Sequence, residues 1–312
     1  MAKKMLFLFV LLLSLTGMLK AQVTTAGMSG KVVADEEAVI GATVVAVHEP
    51  SGTSYGTVTN IDGRFSLQGM RSGGPYKITV SYVGYQTAIY TGIQLQLGET
   101  YSLNVTLHEA SELLGEITIT ASKSKFSAEK TGATTNISSE QLTTLPSINR
   151  SISDFTRISP YASGNNFGGR DGRSNTFTVD GANLNNNFGL SSNLPGGGNP
   201  ISLDAIDEVQ VVIAPYDVRQ ANFIGAGINA ITKSGTNAYR GSAYMYFNNE
   251  VMRGNKIGNT DFGARAEESK TVYGATLGGP IIKDKLFFFA NVEYEKLSLI
   301  HISEPTRQAE IS

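Results

Sequence analysis

Residues 204–211 read Asp204-Ala205-Ile206-Asp207-Glu208-Val209-Gln210-Val211 and lead to Ala214-Pro215; residues 225–235 read Gly225-Ala226-Gly227-Ile228-Asn229-Ala230-Ile231-Thr232-Lys233-Ser234-Gly235. The second stretch fits the loose dinucleotide pattern G-x-G-x-x-A, which needs a strand before it and a helix after it. Ile231 to Thr236 instead read as a strand running into a turn, so the nucleotide reading is rejected. Upstream stand Gly168-Gly169-Arg170-Asp171-Gly172-Arg173 and Thr176-Phe177-Thr178-Val179-Asp180-Gly181-Ala182-Asn183-Leu184-Asn185. Glu140 to Pro146 and Ser151 to Arg157 read as short helices that end near Pro160. The loop Asp180 to Asn187 is rich in Asp and Asn; a cation would suit it, but Asx turns are the better account. Arg170 and Arg173 suit either a ligand or a salt bridge to a surrounding wall.

Downstream, from Ala238, the strands lengthen. Arg240 to Asn248 alternates, with Gly241, Ala243, Met245 and Phe247 on one side and Ser242, Tyr244 and Tyr246 on the other. Ser269 to Gly278 is a second long strand. Leu286 to Glu295 is the clearest: Leu286, Phe288, Ala290, Val292 and Tyr294 share a face, opposite Phe287, Phe289, Asn291, Glu293 and Glu295. Ten residues with one apolar face match a membrane β-strand of ~9–11 residues.

On the N-terminal side, residues 26 to 109 carry short alternating segments with turn signals between them. Thr43 to His48, Tyr55 to Thr59, Arg64 to Gln68 and Tyr76 to Val83 read as strands, and about seven in all suit an Ig-like sandwich of ~80–100 residues. Asn60-Ile61-Asp62-Gly63 predicts a hairpin between its flanking strands, because Asp-Gly turns need positive φ. Asp62 is read as a turn residue, not a calcium ligand. His48 and His108 are lone histidines at strand ends, with surface or edge roles. Between sandwich and helices, Glu116-Ile117-Thr118-Ile119-Thr120-Ala121 is β-prone and precedes the polar, Lys-rich stretch Ser122 to Lys130. An extended segment on a tether suits strand addition to a partner's sheet edge. On composition alone the last strand of the sandwich itself is the better reading.

Gly30-Lys31-Val32, Ile40-Gly41-Ala42-Thr43-Val44, Thr57 to Leu67 and Val83-Gly84-Tyr85 resemble the carboxypeptidase-regulatory-like domain, a small sandwich without catalytic residues of its own. The ordered series from Gly168 to Gly235 resembles the plug domain of TonB-dependent outer-membrane receptors. In that family an Asp-Gly hairpin precedes an IxxIEV strand and a GGxINxxTK strand. The resemblance implies that Glu116, Ile117, Thr118, Ile119, Thr120 and Ala121 form the TonB box, gripped by a TonB-type inner-membrane energy-transducing protein. It implies a plugged barrel of about 22 strands, an outer-membrane lipid environment and an unidentified extracellular substrate. Arg170, Arg173, Asp180 and Asn183 become plug residues that meet ligand or barrel. Two departures qualify the match: Gln210 stands where Glu is common, and Ile213-Ala214-Pro215 replaces Arg-Gly-Pro. Siderophore handling is therefore not inherited. The sandwich places the chain nearest the Oar-like branch. The starch-uptake branch ranks second, because Ala121-Ser122-Lys123-Ser124 stands where Val-Gly-Tyr-Gly is usual.

The expected class is mainly β: an Ig-like sandwich, an α+β plug, then the first strands of an outer-membrane barrel. The expected boundaries are a signal peptide at 1–21, sandwich 22–109, linker 110–130, plug 131–236 and barrel strands 237–296. Lys3-Lys4, the apolar run Met5 to Leu13 and Leu19-Lys20-Ala21 together fit a cleaved export signal. Residues 297–312 form the last expected segment. Leu297-Ser298-Leu299-Ile300-His301-Ile302-Ser303-Glu304-Pro305-Thr306-Arg307 resembles a translated transposase-type sequencing adapter, with Gln308 to Glu310 as barcode. Native sequence is then expected to stop near Lys296, with about three barrel strands that cannot close.

Composition narrows the functions. A net charge of −2 and charged residues at 17% give no basic field for nucleic acid. No Cys excludes thiolate chemistry and disulfides, and three His leave little for metal or triad chemistry. No catalytic residue, cofactor or metal is expected, and the chain is not read as an enzyme. The alternative reading is a secreted or cell-surface adhesion or scaffold protein built on the sandwich. It leaves the series from Gly168 and the long strands unexplained.

Overall fold

The computed structural model describes residues 23–109, 117–120, 133–145, 147, 150–156, 158–185, 200–215, 220, 223–261, 263 and 268–299. The expected signal peptide, most of the linker and most of the tail lie outside them. The chain divides into two compact units, Met1–Lys233 and Ser234–Ser312.

The first unit opens with β1 (Ala26–Ala34), β2 (Glu37–Ala38), β3 (Thr43–His48), β4 (Thr53–Val58), β5 (Arg64–Met70), β6 (Gly73–Ser81), β7 (Ala88–Leu95), β8 (Thr100–Ser102), β9 (Val105–Leu107) and β10 (Ile117–Thr120). One sheet runs β2-β1-β5, with β8 and β9 pairing in parallel to β1; the other runs β10-β7-β6-β3-β4. Alternation explains the layering. Phe65 and Leu67 on one sheet, and Val44, Ala46, Ile78 and Val80 on the other, are buried in one core with Met28, Met70 and Tyr76. Each large side chain fully buried there contributes roughly 1.5–3 kcal/mol.

The Asn60 turn corrects the expected hairpin. β4 and β5 lie in different sheets, so the turn is a corner between layers. Its local chemistry is that of a tight turn: Asn60 Oδ1 accepts from the N–H groups of Asp62 (3.0 Å) and Arg64 (2.8 Å). Gly63 has φ of 70°, and a Cβ there would lie 2.6 Å from the Val32 carbonyl oxygen. Turn chemistry sets the reversal but not the sheet that the next strand joins. His48 also departs from its expected surface place. It ends β3 but is buried, with Nδ1 2.7 Å from Ser51 Oγ and its ring 5.0 Å from that of Tyr76. Burial, helped by the Arg71 charge, lowers its pKa to about 4, so it packs as a neutral ring.

The unit continues with β11 (Ala133–Ser138), α1 (Ser139–Thr144), α2 (Ile152–Thr156), β12 (Ala162–Ser163), β13 (Asn166–Phe167), β14 (Thr176–Val179), β15 (Ala182–Asn183), β16 (Ile206–Ala214) and β17 (Gly227–Thr232). A mixed sheet runs β11-β16-β17-β14-β15. Ile137, Val209, Val211, Phe177 and Ala230 are buried with Leu142 and Phe155 of the two helices and with Phe167. Helix α1 starts at a capping box, in which Ser138 and Gln141 satisfy each other's backbone N–H groups.

The second unit holds β18 (Arg240–Asn249), β19 (Lys256–Ile257), β20 (Thr260–Asp261), β21 (Glu268–Ile282) and β22 (Leu286–Leu299). β18, β21 and β22 form an antiparallel meander. In-register rows include Met245, Tyr273 and Tyr294, and Ala243, Ala275 and Val292. β22 runs past its expected end at Glu295, with Leu297 opposite Lys270 and Leu299 opposite Glu268. Backbone ladders form with most side chains, so the loss of alternation after Lys296 does not end the pairing.

Candidate functional site

Three places carry candidate functional groups: the segment 116–121, the polar face of the β11–β17 sheet, and the faces of the β18–β22 sheet. Glu116 and Ala121 lie outside the described residues. Ile117 to Thr120 form β10, which pairs in parallel with β7: Ile117 opposite Ala88, Thr118 opposite Ile89, Ile119 opposite Tyr90 and Thr120 opposite Thr91.

The sheet β11-β16-β17-β14-β15 packs one face on its helices. Its other face carries a row of polar side chains that register alone brings together. Asn136, Gln210 and Asn229 stand opposite one another on β11, β16 and β17. Thr178 continues the row on β14, with Oγ1 3.0 Å from Asn229 Oδ1, and Asn183 ends it on β15. This row holds the turn between β7 and β8 and the chain just before β1. Asn136 donates to the Glu99 carboxylate (3.1 Å), Gln210 donates to the Leu97 carbonyl, and Asn229 donates to the Val23 carbonyl. Beside it, the Leu97 N–H donates to both oxygens of Glu208, at 3.1 and 3.2 Å. Leu97, Glu208 and Gln210 are all buried. Burial lifts the Glu208 carboxyl to about 7; the Leu97 N–H opposes this, and the Asp207 and Glu99 carboxylates add to it. Gly98 makes the contact possible. It has φ of +68°, and a Cβ would meet the Gln210 amide at 2.8 Å.

The four expected plug residues do not converge. Asp180 and Gly181 both have positive φ, at 48° and 82°, and link β14 to β15 as a two-residue turn. The Asp180 carboxylate accepts from Thr232 N (2.9 Å) and Oγ1 (2.7 Å). Asn183 Oδ1 accepts from Asn185 N at 2.8 Å, as an Asx turn does. Arg173 is exposed and pairs with Asp171 (Nε to Oδ1, 2.9 Å), which lowers the Asp171 pKa and raises that of Arg173. Arg170 is exposed, and its backbone N–H donates to the Phe167 carbonyl at 3.0 Å. Among the described residues no group of three or more His, Asp or Glu could hold a metal.

The polar row and the Leu97 turn were missed from sequence. Asn136, Gln210 and Asn229 lie on three separate strands, and only the register aligns them. Gln210 alone gave a signal, as an uncharged amide in a position where Glu is common. An amide can donate to a carbonyl; a carboxylate cannot.

The β18–β22 sheet has two chemically different faces. Met245, Phe247, Tyr273, Leu277, Leu286, Val292 and Tyr294 share one side and are exposed. The other side is bonded through polar groups. Ser242 Oγ lies 2.6 Å from Thr276 Oγ1, Tyr244 OH donates to Glu293 (2.7 Å), and Lys270 pairs with Glu295 (3.0 Å). Tyr244, Gly274 and Glu293 form one row. A Cβ at Gly274 would lie 2.0 Å from Tyr244 Cζ, so the missing side chain leaves room for the tyrosine to reach Glu293. No described helix is long and apolar enough to cross a membrane; β-strands cross by another route.

Residues 27–108 match the carboxypeptidase regulatory-like domain, and residues 231–307 match an outer membrane beta barrel domain. The chain is 27% identical over 252 residues to the TonB-dependent transporter Oar of Myxococcus xanthus, covering 75% of this chain and 23% of that protein. It thus spans less than a quarter of that relative's length. Among solved structures, the siderophore receptor PirA from Acinetobacter baumannii aligns at 23% identity with a TM-score of 0.41, covering 53% of this chain and 24% of PirA. The Bacillus anthracis TIE protein aligns at 10% identity with a TM-score of 0.25, over 86% of this chain and 48% of its own. Neither score establishes a common overall fold.

Proposed function

We propose that the chain is the N-terminal part of a TonB-dependent outer-membrane receptor, a family whose members are transporters and not enzymes, and that it serves energy-coupled transport. Residues 22–109 are its periplasmic sandwich, 131–236 its plug and 237–296 the first strands of its barrel. Residues 116–121 are the TonB box that an inner-membrane energy-transducing protein grips. Substrate binds from outside on plug and barrel loops, and pulling on the box displaces part of the plug. Only non-covalent bonds are made and broken.

The observation that carries this reading is the two-faced β18–β22 sheet. One side presents exposed Met245, Phe247, Tyr273, Leu277, Val292 and Tyr294, and the reverse side carries bonds between hydroxyls and charges. That is the arrangement of a wall between lipid and an aqueous or plugged interior. Within the plug, Asp180, Asn183 and Arg173 serve local turns and pairs, which leaves Arg170 as the residue for contact with barrel or ligand. The substrate class stays unassigned.

The test is capture of the partner. The whole receptor carrying this chain is expected to bind the periplasmic domain of a TonB-type protein, and deletion of 116–121 is expected to abolish binding while the barrel still assembles. Undiminished binding after the deletion contradicts the reading.

A further inference from the structure

We propose that the β7 edge of the sandwich is a strand-binding site for the chain's own segment 117–120, and that this docking competes with the energy-transducing partner. The inference rests on the reading of 116–121 as the box. It assigns to the sandwich a role beyond spacing, as the element that stores the box until a partner displaces it.

The first observation is the ladder. β10 is a four-residue parallel strand in continuous register with Ala88 to Thr91. Without it β7 would be the edge strand of its sheet, because its other neighbour is β6. An open edge offers a row of unpaired N–H and C=O groups, the usual template for strand addition. Here the chain fills that template in cis.

The second observation is the side-chain burial along β7 where β10 pairs with it. Ala88, Ile89 and Tyr90 are buried in succession at the start of β7. A two-layer sandwich buries alternate residues, one face on the core. Ala88 and Tyr90 belong to the inter-sheet core, and Ile89 does not. Yet Ile89 is only 5% exposed. Ile89 is therefore covered on the outer side of the sheet at the ladder position opposite Thr118, so the edge that β10 joins is not left open there. Further along β7, Gly92 and Gln94 are exposed in ordinary alternation.

After β9, the chain passes beside the residues that lead into β7. Gln86 N donates to His108 O at 2.8 Å, and Tyr85 bridges Glu109. Docking fixes the register of the segment and occupies one of its two edges. A partner that binds by strand addition finds the segment committed, and its apparent affinity falls by the fraction of time that the segment is docked.

These 312 residues contain no Cys of their own, and any Cys elsewhere in the receptor is replaced by Ser for the test. Thr91 and Thr120 are opposed in the β7–β10 ladder, and neighbouring strands lie ~4.7–4.9 Å apart, within the Cα spacing a disulfide spans, so Thr91→Cys with Thr120→Cys is the test pair. Thr57→Cys with Thr120→Cys is the control, since Thr57 lies on β4 at the far edge of the same sheet. Both pairs are made in the whole receptor and exposed to a mild oxidant. The 91/120 pair is expected to close at least ten times faster than the 57/120 pair. The oxidised 91/120 receptor is expected to bind the periplasmic domain of a TonB-type protein at least tenfold more weakly than the same variant after reduction.

Equal closure of the two pairs overturns docking, and leaves the box reading standing if the reduced receptor binds the domain. Equal binding by oxidised and reduced forms overturns competition, because the partner then adds to the outer edge of β10. Selective closure with no binding by the reduced form or by unsubstituted receptor overturns the box reading, and the competitive role with it.

Discussion

The sandwich and the β18–β22 sheet share one two-residue alternation and turn it toward opposite surroundings. In β5, buried Phe65 and Leu67 alternate with exposed Arg64, Ser66 and Gln68, and the apolar side closes on a second sheet. In β18, β21 and β22, the apolar side remains open to the surroundings, while the bonds run between side chains of the polar face. Alternation therefore specifies a strand with two faces. It does not specify which face meets protein, water or lipid. The length of the strands and the chemistry of the polar face supply that information.

The comparison breaks most readily in the sandwich. Phe65→Ala is expected to cost about 3–5 kcal/mol, because it leaves a cavity between closed layers. Thermal unfolding monitored by near-ultraviolet circular dichroism measures it; a loss below about 1 kcal/mol means that the layers are not closed on Phe65. Next comes a pair of matched substitutions. Val292 is 71% exposed on the barrel sheet and Val58 is 61% exposed on the sandwich. Val292→Lys is expected to cost roughly 2–4 kcal/mol if the position faces the middle of a bilayer, seen as a loss of folded receptor in outer membranes. Val58→Lys, in water, should stay within about 0.5 kcal/mol. Equal effects at the two positions would erase the distinction.

Gly274→Val tests the polar face. The new side chain must displace the Tyr244 ring, and overpacking of this kind costs about 1–3 kcal/mol. A smaller fraction of assembled barrel is expected, with Tyr244→Ala in the same chain restoring part of it.

The smallest effects concern pH, and they have opposite signs within the first unit. His48 has its pKa lowered in the fold to about 4 from 6.5. Its contribution is present above pH 6.5 and is lost as pH falls toward 4. Glu208 is raised to about 7 from 4.5. Its contribution is present below pH 4.5 and is lost as pH rises through 7. Unfolding midpoints should therefore fall on the acid side in a manner that His48→Gln removes. Protection of the Leu97 amide from hydrogen exchange should fall on the alkaline side in a manner that Glu208→Gln removes. Profiles unchanged by either substitution would contradict these assignments.

Much of the β architecture was legible because it is local. Phe65 and Leu67 declare their face in five residues, and Leu286 to Tyr294 do so in nine. What sequence did not disclose depends on pairing between distant strands. Asn60 to Gly63 encodes a reversal, but the sheet joined by Arg64 is decided by which core Phe65 can enter. His48 reads as a polar strand end until Tyr76 and Ser51 are brought against it. Asn136, Gln210 and Asn229 are ordinary strand amides until register sets them in a row beneath Leu97. The β10 segment had two readings, a strand for a partner or the last strand of the sandwich. The ladder with β7 is the second of these; the first stands as the proposal, because the same main-chain groups serve either use.

The most direct test of the account is the surroundings of two neighbouring residues on β22. Single Val292→Cys and Glu293→Cys variants of the whole receptor, in intact outer membranes, can be labelled with a water-soluble or a lipid-soluble maleimide. The account predicts that position 292 reacts with the lipid-soluble reagent and is protected from the water-soluble one, and that position 293 shows the reverse. Equal labelling of both positions by the water-soluble reagent would contradict a membrane wall.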